Sequence, residues 1–401
     1  MDLRKVTYKL YPNAGQEASL RDLLRHHCNL YNAAVQERRD AWEKHGVSIS
    51  YRSQCFGLTE LRHTSPEWIV ANCSSEQVTL RRVDKAYDAF FRRCKDGEEP
   101  GYPRFKAFSR YPGFGYKSHG DGWRFTPGPD WKHGTLRLQG VGIVQARGQA
   151  RQGGTIKSCE LMHKGGVWHL SLTVECPVIE RESGNEACGM DWGVETFAML
   201  ALPDGTSEPI ANPRFYRTEK ARELELERIR DRRKRGSKRR RKAAIQCARL
   251  KAKNARRRRD FHHKTSAALV KRFSLIATEK LEISKMTRSA KGTAEKPGKN
   301  VKQKAGLNRE ILDTAPAAFL GMVRTKAEEA ASLYMEAPTR KLKPSQTCPA
   351  CGCVRKKSLS ERTHLCADCG HTEPRDAASA RVCLNWALNE IASSREPRCA
   401  A

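Results

Sequence analysis

Ala187-Cys188-Gly189-Met190-Asp191-Trp192-Gly193-Val194 sets an acid at the end of an apolar run and just before a glycine. A second run, Leu275-Ile276-Ala277-Thr278-Glu279-Lys280-Leu281, does the same with a glutamate. Both read as buried strands, and a carboxylate inside such a strand is costly unless it is paired or bound to metal. A third acid, Asp376 in Pro374-Arg375-Asp376-Ala377, opens the last helix, where an N-cap is the plain structural explanation. Taken singly, each of the three acids has a structural reading as good as a functional one. Two magnesium ions about 3.5–4 Å apart need several converging carboxylates to clamp a phosphate under attack, and three acids from different elements could supply them if the fold brings them together.

Outward from the first acid, Glu182-Ser183-Gly184-Asn185 reads as a boundary, and Thr196 to Leu202 as a further strand closed by Pro203-Asp204-Gly205. A basic helical stretch runs from about Thr218 to Arg272. Lys285 to Lys304 is polar and reads as a mobile loop. Asn308 to Leu333 reads as one amphipathic helix with Ile311, Leu312, Phe319, Leu320, Val323 and Ala327 inward, and Ala377 to Ile391 as the last helix. Towards the N-terminus, Val6, Tyr8 and Leu10 alternate as in a strand, and Leu20, Leu24, Tyr31, Val35 and Trp42 recur at helical spacing. A second helix opens at Ser74, with Gln77 completing a capping box. From Gly101 to about Ile179 the texture is antiparallel β, which could close with the first strand into a small barrel.

Cys348-Pro349-Ala350-Cys351 and Cys366-Ala367-Asp368-Cys369 are two knuckles separated by fourteen residues. Four thiolates so spaced can meet at the corners of a tetrahedron, which suits one structural zinc ion and leaves no open catalytic position. Gly352 and Gly370 permit the tight turns behind each knuckle. Cys353 and His364 lie close enough to compete as ligands but do not fit the paired spacing. The ten other cysteines read as small buried hydrophobes.

The chain has 401 residues, room for two to four domains, and a formal charge of +30, which predicts a polyanionic partner. Between Arg228 and Arg259 there are eighteen Lys or Arg against one acid, Asp231. On one helix that charge would wrap around the axis, and a nucleic-acid backbone is its natural counter-surface. From Tyr102 to Lys117, six aromatics are interleaved with four cations, which suits either base stacking with phosphate contact or a core role for some rings. The chain holds no uncharged apolar run of 18 residues and no apolar leader-like start, and its cysteine count is odd, at fifteen. These features point to a cytoplasmic protein without a membrane partner or a disulfide framework.

The order of these parts resembles TnpB, the transposon-encoded relative of type V CRISPR effectors, and the smallest of those effectors. The resemblance rests on Gly189 to Gly193, Glu279-Lys280-Leu281, Pro344-Ser345-Gln346-Thr347-Cys348 with its ribbon, and Arg375-Asp376, and upstream on Arg4 to Pro12, Ala89 to Arg92 and Gly101 to Lys106. It implies an α+β multidomain fold: a wedge-like N-terminal β-barrel with an inserted helical recognition domain, then a RuvC domain of RNase H fold with an inserted zinc ribbon. The implied divisions are 1–12 for the first wedge strand, 13–112 helical recognition, 113–182 the rest of the wedge, 183–343 RuvC-like with basic helices, 344–372 zinc ribbon, and 373–401 the RuvC C-terminal helix and tail.

By the same resemblance Asp191, Glu279 and Asp376 are the catalytic acids holding two Mg2+. Arg104, Phe105, Lys106, Arg239, Arg240, Arg241, Arg256 and Arg257 become candidate nucleic-acid contacts. The implied partners are a guide RNA and target DNA, double- and single-stranded, carried by a monomer or by a homodimer on one RNA. The implied activity is RNA-guided DNA cleavage at a single site, in which base pairing reads the target and the protein reads a flanking motif. The alternatives are guided binding that represses without cutting and, with its different order of acids, a transposase. The chain departs from the family at the third acid: Asp376-Ala377-Ala378-Ser379-Ala380 replaces the usual Asp-x-Asn-Ala-Ala, and Pro374 replaces the frequent Asp before Arg375.

Overall fold

The structure is a computed structural model, and it describes residues 2–65, 68–148, 153–293, 295–358 and 361–395. The chain forms two compact units, Met1–Val178 and Ile179–Ala401.

The first unit opens with β1 (Asp2–Tyr11), followed by α1 (Ala14–His45), α2 (Tyr51–Thr64) and α3 (Cys73–Lys95). Six strands come next: β2 (Gly113–Tyr116), β3 (Trp123–Pro127), β4 (His133–Leu138), β5 (Gly142–Gly148), β6 (Thr155–Lys164) and β7 (Val167–Cys176). They form one antiparallel sheet in the order β2-β6-β7-β1-β5-β4-β3. The two edge strands, β2 and β3, are consecutive in the chain, so the sheet must curl for residues 117–122 to join them. The rings agree. Tyr8 on β1 and Phe125 on β3 are 4.7 Å apart between centroids, whereas three strand spacings in a flat sheet would separate them by about 14 Å. Among the described residues β2 and β3 share no ladder, so the barrel read from the sequence is a curled sheet with one unbonded seam.

Asn13 and Gln16 form a reciprocal capping box on α1. On α3 the cap is Asn72, not Ser74: its side chain accepts from the N–H groups of Ser74 and Ser75. Gln77 accepts instead from the Lys117 ammonium at 2.6 Å. An Asn two residues earlier captures the first free N–H groups, which moves the start of the helix.

The second unit holds β8 (Glu186–Trp192), β9 (Thr196–Ala201), β10 (Ser207–Ala211), α4 (Phe215–Asp231), α5 (Lys238–Arg272), β11 (Phe273–Glu279) and α6 (Ile283–Met286). After these come α7 (Val301–Thr314), α8 (Pro316–Glu329), β12 (Leu333–Ala337), α9 (Thr339–Leu342), the hairpin β13 (Thr363–Leu365) and β14 (Thr372–Pro374), and α10 (Arg375–Arg395). The main sheet runs β10-β9-β8-β11-β12, antiparallel as far as β8 and parallel across β8, β11 and β12.

Three expectations from the sequence are corrected by this unit. The basic stretch is a hairpin of two helices, broken over 232–237 at a turn that includes Gly236 at φ 83°. The amphipathic segment is also two helices, because Ala315, at φ 46°, precedes Pro316, and a residue before proline is driven out of the right-handed helical region. Helix α7 begins at Val301, inside the segment read as a loop, while Leu312 is exposed and Leu333 starts a strand.

Alternation along the strands separates two cores. Cys188, Met190 and Ile276 pack with Leu269, Val270, Phe319, Val323 and Ala327 of α5 and α8. Leu275, Ala277 and Ala337, on the opposite face, pack with Cys383 and Ala387 of α10. Helix α10 comes close because residue 189 has no side chain: a Cβ there would lie 1.9 Å from the Ala380 carbonyl oxygen and 2.9 Å from Leu384 Cβ. Gly189→Ala should therefore push α10 off the sheet and destabilise the second unit by about 3 kcal/mol. Denaturant unfolding of the full-length protein checks this.

Candidate functional site

Asp191 and Glu279 stand near the C-terminal ends of neighbouring parallel strands. The β8–β11 register pairs Thr278 with Met190, which brings Glu279 level with Asp191 one residue further on. Both lie on the α10 face, since Gly189, two residues before Asp191, touches α10, as does Ala277, two before Glu279. Asp376 is in the first turn of α10. All three acids are half-buried. Among the described residues none of them makes an ion pair, and the one side-chain hydrogen bond in the group runs from the Ser379 hydroxyl to Asp191 Oδ1, at 3.1 Å.

The electrostatics agree that the acids face one another. Burial first, then the charges of Glu279 and Asp376, push the Asp191 carboxyl well above its ordinary value, with Ser379 and Arg375 acting in the opposite direction. Burial also raises Glu279. The Cys383 thiol, packed with Leu275 and Ala277, is raised by burial and then by the charges of Asp191 and Glu279. The three carboxylates do not close on a single point: the group of metal-ligating atoms lying within 4.8 Å of one another is the cysteine set. Like charges that face each other without a counter-ion make a site with an unmet demand for cations.

In that cysteine set, Cys348 and Cys369 sulfurs are 3.7 Å apart, and those of Cys351 and Cys366 3.6 Å. A tetrahedron with zinc–sulfur bonds of about 2.3 Å has edges of about 3.8 Å, so the donor set fits zinc. Gly352 and Gly370 take φ of 77° and 73°, and their N–H groups return to the carbonyls of Cys348 and Cys366. N–H groups of Cys369 and Asp368 aimed at its sulfur lower Cys366 to about 6, while Cys351 and Cys369 of the same set are raised. Of the competing ligands, Cys353 is engaged with Asp368; the buried His364 meets Lys357 through Nδ1, has no partner at Nε2 among the described residues, and lies outside the four-cysteine set. Of the scattered cysteines, 28, 159, 176, 188, 247 and 383 are buried as expected, 55 and 73 are half-buried, 94 is exposed, and Cys399 lies outside the described residues.

The cysteine module is joined directly to the acids. Strand β14 ends at Pro374, two residues before Asp376. The Arg375 guanidinium donates to the Ser358 carbonyl at 2.9 Å, and Asn385 of α10 donates to the Pro349 carbonyl at 3.0 Å. Arg381 clamps the β9–β10 turn through the Leu202 and Gly205 carbonyls.

The candidate nucleic-acid residues sort by geometry. The aromatic segment divides near Tyr111: Tyr111, Phe114 and Tyr116 are core, whereas Phe105 is 49 % exposed. Asn32 pins the Lys106 backbone through both its N–H and its carbonyl, leaving Arg104, Phe105 and Lys106 at the surface. On the α4–α5 hairpin, acids of α4 neutralise the middle of α5: Glu219 pairs with Lys253 and Arg257, and Glu223 and Glu227 pair with Lys251. Arg257 also stacks on Phe215 at 5.0 Å. Arg240 braces the turn, donating to the carbonyls of Arg230 and Arg233 and pairing with Asp231. Arg239, Arg241 and Arg256 are exposed, with no ion pair among the described residues. Sequence reasoning grouped all of these arginines and missed Ser379, whose only signal was a hydroxyl within an alanine-rich turn.

Three family models match separate parts of the chain: "Probable transposase" over residues 170–290, "Cas12f1-like, TNB domain" over 317–383, and "Helix-turn-helix domain" over 1–46. The last stretch here is one strand and one helix. These matches bear out the resemblance to TnpB-like and compact Cas12f-like proteins drawn from the motifs. Two relatives carry the name "Putative RNA-guided DNA endonuclease". InsQ of Escherichia coli K12 is 28% identical over 95% of this chain and 92% of its own length. A Streptomyces pristinaespiralis protein is 28% identical over 95% of this chain and 88% of its own. In fold the chain resembles the protein of a Cas12f1–sgRNA–target DNA complex, with TM-score 0.59, 12% identity, and 96% of this chain and 98% of that chain covered. It also resembles the mini-RNA-guided endonuclease CRISPR-Cas_phi3, with TM-score 0.52, 9% identity and coverage of 100% and 94%. Among the described residues no helix is long and apolar enough to cross a membrane.

The purified protein should carry stoichiometric zinc by elemental analysis, and Cys348→Ser and Cys369→Ser should each lose it. Removal by a chelator should lower the melting temperature of the second unit, since bound metal contributes directly to folding.

Proposed function

We infer that the chain is an RNA-guided DNA endonuclease that hydrolyses target phosphodiester bonds at a single site of RuvC type, with zinc holding the cysteine module. The observation that supports this is the approach of Asp191, Glu279 and Asp376, from β8, β11 and α10, with no ion pair to any of them among the described residues. Two Mg2+ ions, when bound there, would stabilise the attacking and leaving oxygens of the phosphate. Two ions about 3.5–4 Å apart share acids between them, which suits carboxylates that face one another without converging on one point. The chain's own residues supply the rest: the three acids hold the ions, Gly189 and Ser379 seat α10 against the strand that carries Asp191, and the unpaired hairpin arginines attract phosphate. Exposed Phe105 between Arg104 and Lys106 offers a stacking face beside two cations. Guide RNA and target DNA are the proposed partners, and the prokaryotic cytoplasm the proposed place of action.

Asp191→Ala, tested on the protein loaded with its co-purified RNA and a matched target, should reduce cleavage by several orders of magnitude and leave target binding within a few-fold. A variant that still cuts would remove Asp191 from the site. A wild-type protein that binds its guided target and does not cut would instead support repression without cleavage. The double variant Arg239→Ala/Arg241→Ala should weaken nucleic-acid binding and flatten its dependence on log salt by about one unit for each phosphate no longer neutralised. Arg240→Ala should act mainly on the melting temperature.

A further inference from the structure

Ser379 has no role in the sequence reading, yet it is the one side chain that hydrogen-bonds any of the three acids among the described residues. It lies three residues after Asp376, so both occupy one side of the first turns of α10. It is 2 % exposed. A serine inside a helix ordinarily returns its hydroxyl to a carbonyl one turn back; this one donates across to β8. Its reach is set by backbone contact, because the carbonyl of the next residue, Ala380, occupies the space a side chain at Gly189 would fill. The last torsion of an aspartate is broad and two-fold, so a free carboxylate presents either oxygen. The Ser379 hydroxyl removes that freedom at Asp191.

We propose that Ser379 is a positioning residue for the divalent-cation site: it holds Oδ1 of Asp191 and thereby presents the second oxygen, Oδ2, to the metal. This rests on the reading of Asp191, Glu279 and Asp376 as metal ligands. Among the described residues Glu279 and Asp376 have no such tether, so the pre-set geometry of the site comes from one hydroxyl. The same helix turn carries one ligand, Asp376, and orients another, Asp191, so displacement of α10 disturbs both. Removing the partner of a metal-ligating group typically weakens metal affinity by about 10- to 100-fold.

The test compares wild type, Ser379→Ala and Asp191→Ala as full-length proteins. Mn2+ titration followed by water-proton relaxation measures binding without turnover, and the Mg2+ dependence of cleavage and metal-free melting are measured beside it. Ser379→Ala should bind Mn2+ on the order of tenfold more weakly. Its half-saturating Mg2+ should rise to match, and its kcat at saturating Mg2+ should stay near wild type. The metal-free melting temperature should be unchanged, since alanine is a good helix former. An unchanged Mn2+ affinity in Ser379→Ala, with Asp191→Ala deficient, would overturn the positioning role and leave the metal site standing. An Asp191→Ala protein that binds Mn2+ like wild type would overturn the metal-site reading itself. A large loss of metal-free stability in Ser379→Ala would make the residue a packing element and overturn the proposal.

Discussion

The contact between Gly189 and the backbone of α10 is the constraint on which the second unit depends. Strand β8 carries the first acid, and α10 carries the third acid and the serine that bonds the first. The two elements can meet this closely only where neither presents bulk, and the small residues Ala377, Ala380 and Gly189 are buried at that contact or beside it. Burial there also raises the carboxyls of Asp191 and Glu279, so close approach and electrostatic demand have one cause. A better-filled interface would be more stable, and it would leave no site.

Strand register supplies the second requirement. Phe273 pairs with Glu186, yet Leu275 pairs with Ala187, so β11 gains one residue on β8 between those pairs. Without that irregularity Asp191 would lie level with Thr278, and Glu279 would pass beyond it. One extra residue in one strand puts both acids in phase on one face. Such a shift leaves no mark in hydropathy, because the apolar run Phe273 to Thr278 reads as a buried strand either way.

Charge is organised by pairing as well as by density. The basic stretch looks uniform as a string of letters, but the hairpin folds the glutamates of α4 back onto α5, where they pair with Lys251, Lys253 and Arg257 in its middle. Arg240 is engaged by three carbonyls and Asp231 at the turn. What remains for a polyanion is a subset, led by Arg239, Arg241 and Arg256. The aromatic segment behaves alike. One half is core because β2 runs through it, and the other is exposed because Asn32 pins its backbone on α1.

Signals that depend on neighbours along the chain were legible before any fold was known. The knuckle spacing of Cys348, Cys351, Cys366 and Cys369 and the apolar runs ending in Asp191 and Glu279 are of this kind, because turn geometry and strand burial are local properties. Signals that depend on partners distant in sequence were not legible. Whereas the Asn72 cap and the break at Ala315–Pro316 turn on adjacent residues, the open seam between β2 and β3 of the expected barrel is one such outcome. Whether three acids spaced over 186 residues, from Asp191 to Asp376, share a site was of the same kind. Local patterning names the residue types and their order. The approach of α10 to Gly189, the register of β11 and the counter-charges of α4 follow only from packing, because each is a contact between residues that the sequence holds far apart.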